Sequence, residues 1–341
     1  MVHHEEDHLS PPSYPLIDRF GRIHTSLRIS VTDRCNIRCT YCMPELEPAF
    51  FPKSELLTFE EITRLSSLLV DQCGITDIRI TGGEPLVRKD LHRLIERLAD
   101  IPKLKDLSLT TNGLLLKNHA HHLMKAGLKR INISLDTLSE DVFKNLTRRT
   151  GLKNTLEGIE SAIQSGFHNI KLNALAIRGI TEDEVCRLVE YASSNGLMIR
   201  FIEYMPLDSD RNWQRRDVLD GDELLAILSN HFGEVKEIPR ADLSQPAEDF
   251  HVGPHRVGII RSVTKPFCGR CNRLRITADG AVRNCLFSDK EVSLKTHIRN
   301  GATDSELLEL FQECVVTKEK SHGISDEAFR QPERPMYAIG G

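Results

Sequence analysis

The sequence predicts an α/β fold, a partial (β/α)6 TIM-type barrel whose open side is covered by a C-terminal α+β segment. Three observations carry this expectation. Short apolar strands alternate strictly with amphipathic helices from residue 27 to residue 229. Polar and glycine-rich stretches follow successive strands, where barrels place their chemistry. After residue 230 the alternation stops. A doubly wound sheet fits the alternation as well. Six strand–helix units are fewer than a closed barrel needs, so an incomplete barrel has an open side, and residues 230–341 are the candidate cover.

The elements follow in order. Residues 1–26 read as a loose arm, because Pro11, Pro12 and Pro15 deny it regular structure. The barrel is expected over 27–229. Residues 27–31 form its first strand. Thr58 opens a helix with Glu61 three residues on, a capping box, and Gly74 closes it. Residues 78–81 form the second strand, and Asp90 caps the helix after it. Strand 107–110 leads to helix 115–126, and strand 131–135 to helix 153–165. Strand 170–177 leads to a helix opened by Thr181 and Glu184 as a second capping box and ended by Gly196. Strand 198–205 precedes helix 221–229. In 230–341, residues 257–263 and 274–277 read as strands, Ala278-Asp279-Gly280 as a turn, and 289–299 and 304–318 as helices.

Composition narrows the class. Apolar residues make up 40% and charged residues 28% of the 341, an ordinary globular balance. No apolar run is long enough for a membrane span, and the acidic, histidine-bearing start (His3, His4, His8) lacks a secretory pattern, so a cytoplasmic protein is expected. A net charge of −4 argues against general nucleic-acid binding but leaves room for a small anion held by converging cations.

The nine cysteines carry most of the information. Cys73, Cys186 and Cys314 sit in helical patterns and read as buried or half-buried thiols. The other six form two groups. Cys35, Cys39 and Cys42 have C-x3-C-x2-C spacing directly after the first strand. Three thiolates can hold three irons of a [4Fe–4S] cluster and leave the fourth iron open; a zinc site is the rival reading. Cys268, Cys271 and Cys285 have C-x2-C-x13-C spacing, where zinc competes more strongly. Between them lie Thr81-Gly82-Gly83-Glu84-Pro85, Thr110-Thr111-Asn112-Gly113 and Ser134-Leu135-Asp136, each at a strand end, with Lys171 and Asn173 on the fifth strand and Met205 at the end of the sixth.

The first cysteine group, with Tyr41 before its last cysteine and GGEP one strand later, resembles the radical S-adenosylmethionine (radical SAM) enzymes. Three further features narrow the resemblance: residues 27–35, Leu-Arg-Ile-Ser-Val-Thr-Asp-Arg-Cys; residues 200–206, Arg-Phe-Ile-Glu-Tyr-Met-Pro; and the terminal Gly340-Gly341. With both cysteine groups, these are similar to the GTP 3′,8-cyclase (MoaA) family of molybdenum cofactor biosynthesis, from about Phe20 to the end of the chain.

The resemblance implies two [4Fe–4S] clusters and S-adenosylmethionine as cofactors. Cys35, Cys39 and Cys42 would hold the SAM cluster, and Cys268, Cys271 and Cys285 an auxiliary, substrate-binding cluster. Tyr41, Gly82, Gly83, Glu84, Ser134 and Met205 would form the SAM site. Arg28, Arg79, Thr110, Lys171, Arg200, Arg273 and Arg275 would surround GTP, and the Gly340-Gly341 tail would reach the active site. No side chain of the protein would act as acid, base or nucleophile. A 5′-deoxyadenosyl radical would take the ribose C3′ hydrogen, and C3′ would then attack C8 of guanine. The implied partners are GTP as substrate, a downstream cyclic pyranopterin monophosphate synthase, and an electron donor such as flavodoxin or ferredoxin, with a homodimer left open. Asp77 departs from the basic residue expected there, so one phosphate contact is missing or supplied elsewhere.

Two other readings remain at this stage. One is a radical SAM enzyme whose auxiliary cluster relays electrons and which acts on a peptide, although such enzymes bring more C-terminal cysteines and only Cys314 is left over. The other is a non-catalytic zinc or iron–sulfur scaffold, which leaves GGEP and the polar strand ends without a purpose. His119, His121 and His122 fan around a helix and read as a solvated face; Lys125, Lys129 and Arg130 read as a solvated helix end; Trp213 reads as a loop anchor or part of a lid.

Overall fold

The computed structural model describes residues 12–45, 48–240, 242–324, 326 and 329–340. His3, His4, His8, Pro11 and Gly341 lie outside the described residues. Six strands run in the expected places: β1 (Ser26–Ser30), β2 (Asp77–Thr81), β3 (Asp106–Thr111), β4 (Arg130–Ser134), β5 (Ile170–Ala176) and β6 (Met198–Glu203). The helices between them are α1 (Phe59–Cys73), α2 (Leu91–Ala99), α3 (Leu116–Lys125), α4 (Glu140–Thr147), α5 (Leu152–Gln164) and α6 (Val185–Ser194), and α7 (Gly221–Phe232) follows β6. Beyond it come β7 (Val235–Ile238), β8 (Glu248–Val252), β9 (His255–Ile260), β10 (Arg273–Ile276), β11 (Ala281–Arg283), β12 (Val292–Ser293), α8 (Leu294–Arg299), α9 (Asp304–Val316) and α10 (Met336–Ile339).

All twelve strands form one sheet, in the order β12-β11-β10-β1-β2-β3-β4-β5-β6-β9-β8-β7. The run from β10 to β9 is parallel throughout. The expected alternation therefore produces the expected α/β sheet, and among the described residues its two edges do not pair, so it stays open. The C-terminal segment extends the sheet at both edges: β10 joins β1, and β9 joins β6.

The strands alternate in character, and this locates the core. Leu27, Ile29, Ile78, Ile80, Leu107, Leu109, Ile131 and Ile133 are buried against Leu65, Leu69, Leu94, Ile95, Leu123 and Ile159 of the helices. The positions between them are Arg28, Ser30, Arg79, Thr81, Ser108, Thr110, Asn132 and Ser134. A period of two sends these to the other face. The apolar core thus lies between sheet and helices, and the inner face of the sheet is polar, unlike the packed interior of an ordinary barrel.

Several expectations are corrected. Residues 12–25 are not a loose arm. Leu16 is fully buried, Ile17 bridges Ile23, and Asp18 accepts hydrogen bonds from the Phe20 and Arg22 amides. Asp18 thus holds the turn at 18–22 by accepting from two backbone amides. The Thr58–Glu61 capping box and the left-handed Gly74 are present, but Thr181 and Glu184 form no box. Thr181 Oγ1 accepts from the Ile177 amide and donates to the Leu175 carbonyl, while buried Glu184 accepts from the Leu138 amide. Asp90 precedes its helix without a side-chain cap. The helix expected at 289–299 begins only at Leu294, because residues 292–293 pair with β11. Helix α4, between β4 and α5, was not expected.

Candidate active site

The loop after β1 carries Cys35, Cys39 and Cys42 on a frame of backbone contacts. The Gly83 amide donates to the Thr32 carbonyl at 2.7 Å, and the Glu84 amide to the Arg34 carbonyl at 2.8 Å. A Cβ on Gly83 would lie 2.5 Å from the Arg34 oxygen and 2.6 Å from that of Asp33; one on Gly82 would lie 2.8 Å from that of Thr32. Both glycines are therefore needed for GGEP to seat the cysteine loop. Glu84 is buried and ties this loop to the end of β3. It accepts from Thr111 Oγ1 (2.7 Å), the Asn112 amide (2.7 Å) and the Leu86 amide (3.0 Å). Burial pushes its carboxyl up to about 7, against the three bonds that favour the ionised form.

Burial pushes the Cys35 thiol up to about 11. Cys39 and Cys42 are raised too, by burial and then by a neighbouring cysteine of the group. Three neighbouring thiols that oppose one another's ionisation stay protonated unless a cationic centre sits among them. Soft thiolates suit iron–sulfur chemistry. Among the described residues, no three His, Cys, Asp or Glu side chains are arranged to hold a single metal ion. Three cysteines with no fourth ligand match the three-thiolate set of a cluster with one open iron, whereas a structural zinc site takes four ligands.

Beside this loop, Tyr41 Oη donates to Asp136 Oδ2 at 2.6 Å, and Asp136 Oδ1 accepts from the Leu175 amide at 2.8 Å. Tyr41, Ser134, Asp136 and Asn112 border a cavity of about 20 Å³, room for about one water. Asn112 also donates to Asn36 Oδ1 at 2.7 Å and lies 3.8 Å from Cys35 Sγ. Tyr41 and Met205 pack on one small apolar cluster with Tyr204. The structure thus gathers Tyr41, Gly82, Gly83, Glu84, Ser134 and Met205 around the first cysteine loop.

The cations line the inner face. Arg28 is register partner to Arg275 on one side and Arg79 on the other. Arg79 faces Ser108, and Ser108 faces Arg130. Farther along, Asn132 pairs with Thr110 and Lys171, and Asn173 with Arg200. Burial, then Arg275, Arg79 and Arg273, hold the Arg28 guanidinium well below its usual value. Burial and neighbouring cations bring Arg79 to about 10 and Lys171 to about 8. Arg200 Nε is buried without a hydrogen-bond partner among the described residues. These directions record the cost of gathering more cations than Asp106 and Asp249 offset. Arg130, read from sequence as a solvated helix end, belongs to this row. It opens β4, points inward, and pairs with Asp106 through Nε at 2.7 Å. Asp77 lies at the foot of the same face, where burial raises its carboxyl.

The second cysteine group lies at the opposite end of the strands. Cys268 and Cys271 precede β10, which runs parallel to β1, whereas the first group follows β1. The five-residue strand between them spans about 15 Å. Burial would raise the Cys271 thiol, but Lys318 and Arg273 outweigh it and bring it down to about 7. Arg22 ties this loop to the N-terminal segment, bonding the Cys268 carbonyl at 2.8 Å and Asp18 Oδ2 at 2.6 Å.

The tail closes the first end. Gly340 adopts φ +90°, and a Cβ there would lie 2.6 Å from Ser30 Cβ and 2.8 Å from Thr81 Oγ1. Arg275 Nη1 donates to the Gly340 carbonyl at 2.7 Å. Tyr337 stacks edge-on against Phe50. Trp213 is a loop anchor, its indole donating to the Tyr204 carbonyl at 2.9 Å. His121 and His122 are exposed, as expected, whereas His119 is half-buried. The sequence did not mark Lys318 or Arg22 as site residues; both act through contacts more than 40 residues away in the chain.

Comparison with known proteins agrees with this geometry. Residues 29–192 match the radical SAM superfamily, and residues 197–324 match Molybdenum Cofactor Synthesis C. The GTP 3′,8-cyclase of Rhodopirellula baltica is 56% identical over 96% of this chain and 92% of its own length. That of Streptomyces coelicolor is 45% identical over 96% of this chain and 97% of its own. A solved structure, native anSMEcpe with bound AdoMet, shares the fold with a TM-score of 0.56 at 16% identity, covering 86% of this chain and 84% of that one. The radical SAM superfamily implies a [4Fe–4S] cluster and S-adenosylmethionine. No helix among the described residues is long and apolar enough to cross a membrane. With two cysteine loops at the ends of an arginine-lined sheet and relatives of this identity along nearly its whole length, the chain belongs to the GTP 3′,8-cyclase family of radical SAM enzymes.

Proposed function

We propose that this protein is a radical SAM GTP 3′,8-cyclase that converts GTP to 3′,8-cyclo-7,8-dihydro-GTP, the first step of molybdenum cofactor biosynthesis. The observation that carries the reading is the register-matched row Arg275–Arg28–Arg79 on the inner face between the two cysteine groups. An uncompensated set of guanidiniums suits a triphosphate through bidentate, charge-assisted bonds. When bound, the cofactors would supply a 5′-deoxyadenosyl radical that takes the C3′ hydrogen; C3′ would then join C8 of guanine, and one electron from the reduced cluster or donor with one proton at N7 would complete the 7,8-dihydro product.

The chain's own residues bind, orient and enclose. Cys35, Cys39 and Cys42 hold the SAM cluster, and Cys268, Cys271 and Cys285 hold a second [4Fe–4S] cluster that receives the base. Glu84 positions the GGEP loop for S-adenosylmethionine, and Tyr41 is oriented for the same site by Asp136. Arg28, Arg79, Arg200, Arg273, Arg275, Lys171 and Thr110 hold GTP between the clusters. Arg130 supplies positive charge near Asp77, where a basic residue is absent. The tail fills the space beside Ser30 and excludes water from the site. An electron donor such as flavodoxin or ferredoxin and a downstream cyclic pyranopterin monophosphate synthase complete the sequence of reactions. The reading is tested with reconstituted protein, dithionite, S-adenosylmethionine and GTP under anaerobic conditions. Joint formation of 5′-deoxyadenosine and a cyclised GTP is expected, and its absence at about eight irons per chain would refute the reading.

A further inference from the structure

Lys318 follows Thr317, the C-cap of α9, where a helix-end lysine ordinarily lies in solvent. Here it is 3% exposed. Its Nζ donates to the Arg273 carbonyl at 2.9 Å and to Cys271 Sγ at 3.4 Å. Those are its side-chain hydrogen bonds among the described residues, and neither partner is a carboxylate. A buried ammonium is costly unless an anion faces it. Among the described residues, the ionisable group that Lys318 hydrogen-bonds is the Cys271 sulfur, and the Arg273 guanidinium, 3.7 Å away, is aimed at the same atom. Two cations thus converge on one thiol of the three.

We propose that Lys318 is a positioning residue of the auxiliary site. It fixes Cys271 and sets the reduction potential of the cluster bound there, through a buried positive charge and an N–H···S hydrogen bond on that one ligand. The inference rests on the reading that Cys268, Cys271 and Cys285 hold a second [4Fe–4S] cluster. One-electron reduction adds negative charge to a cluster, so a fixed cation at a ligand sulfur stabilises the reduced form more and raises the potential. The effect is large because the site is buried and weakly screened. The bond to the Arg273 carbonyl anchors the ammonium to β10, the strand that also carries Arg275, so its position does not depend on the cluster alone.

The test uses the full chain carrying Cys35→Ala, Cys39→Ala and Cys42→Ala, which leaves the auxiliary site as the sole cluster site. About four irons per chain are expected. No iron would overturn the two-cluster reading and the inference with it. On this background Lys318→Met keeps most of the stem and removes the charge. In an EPR-monitored redox titration its equilibrium constant for reduction falls at least tenfold, about 59 mV for a one-electron couple, and Lys318→Arg recovers most of the shift. An unchanged potential at full iron in Lys318→Met overturns the proposal while leaving the second cluster standing. If Lys318→Met loses its iron, the parent labelled with ¹⁵N-lysine decides. Pulsed EPR of its reduced cluster then shows a lysine nitrogen coupling that Lys318→Arg lacks; no coupling in the parent overturns the proposal.

Discussion

Gly340→Ala would place a methyl group where the tail meets the ends of β1 and β2. Two costs follow from the structure. The backbone at Gly340 has φ +90°, which a side chain disfavours by about 1–3 kcal/mol. The new Cβ would also lie 2.6 Å from Ser30 Cβ and 2.8 Å from Thr81 Oγ1, and relieving such overpacking costs about 1–3 kcal/mol more. Even the lower sum of about 2 kcal/mol is a factor of about 30 in the docked-to-undocked ratio of the tail. Arg275 would lose its bond to the Gly340 carbonyl in the same event. The assay is turnover of GTP, with hydrogen exchange at residues 329–340 as the reporter of docking and iron content as the control for intact clusters. Exchange in the tail should rise about 30-fold or more and turnover should fall, while iron stays full. Adding Ser30→Gly removes the closer clash but not the backbone cost, so it should recover part of the loss. Full turnover with a protected tail in Gly340→Ala would refute the reasoning.

Other consequences can be checked separately. Cys268→Ser should keep S-adenosylmethionine cleavage and lose GTP cyclisation; full cyclisation by this variant would remove the second cluster from substrate binding. Arg79→Met should raise KM for GTP about 10- to 100-fold, the worth of a charge-assisted bond. Its effect on the melting temperature of the GTP-free protein should be nil or positive, because Arg79 stands among like charges; a lower melting temperature with unchanged KM would contradict both points. Burial, aided by Lys318, brings the His24 imidazole from 6.5 to about 4. The unfolded chain therefore binds the extra proton between these values. The stability from neutral His24 is complete above pH 6.5 and is lost as pH falls through about 4, about 3 kcal/mol in all. Urea midpoints followed over that window should fall more steeply for the wild type than for His24→Gln, and equal slopes would count against the assignment.

What could be read from the sequence was what is written locally. Each strand–helix unit carries its own period and stop signal, as in Thr58 with Glu61 and Gly74, so the parallel sheet was legible. The first cysteine loop is contiguous, and GGEP lies one strand later, so that half of the site was legible as well. The pocket depends on register. Arg275 meets Arg28 across a separation of more than 240 residues, and nothing local announces it. The alternation Leu27-Arg28-Ile29-Ser30, repeated in Ile78-Arg79-Ile80, did hold the clue that the inner face is polar. Arg130 was misread because Lys125, Lys129 and Arg130 look like one charged run, yet β4 begins at Arg130 and turns it inward. The N-terminal prolines suggested a loose arm because the contact that ties it down, Arg22 to the Cys268 carbonyl, is tertiary. Helix α4 escaped notice because it is short and has no side-chain cap.

The most direct test of the cyclase assignment follows the hydrogen itself. GTP deuterated at C3′ would be turned over anaerobically by the fully reconstituted protein, and the 5′-deoxyadenosine analysed by mass spectrometry. One deuterium in the 5′-deoxyadenosine, matched by a cyclised product from GTP and none from ATP, is the expected result. Deoxyadenosine without deuterium and without a cyclised product would contradict the assignment, since GTP held between the two cysteine groups would then not be the molecule that gives up its hydrogen.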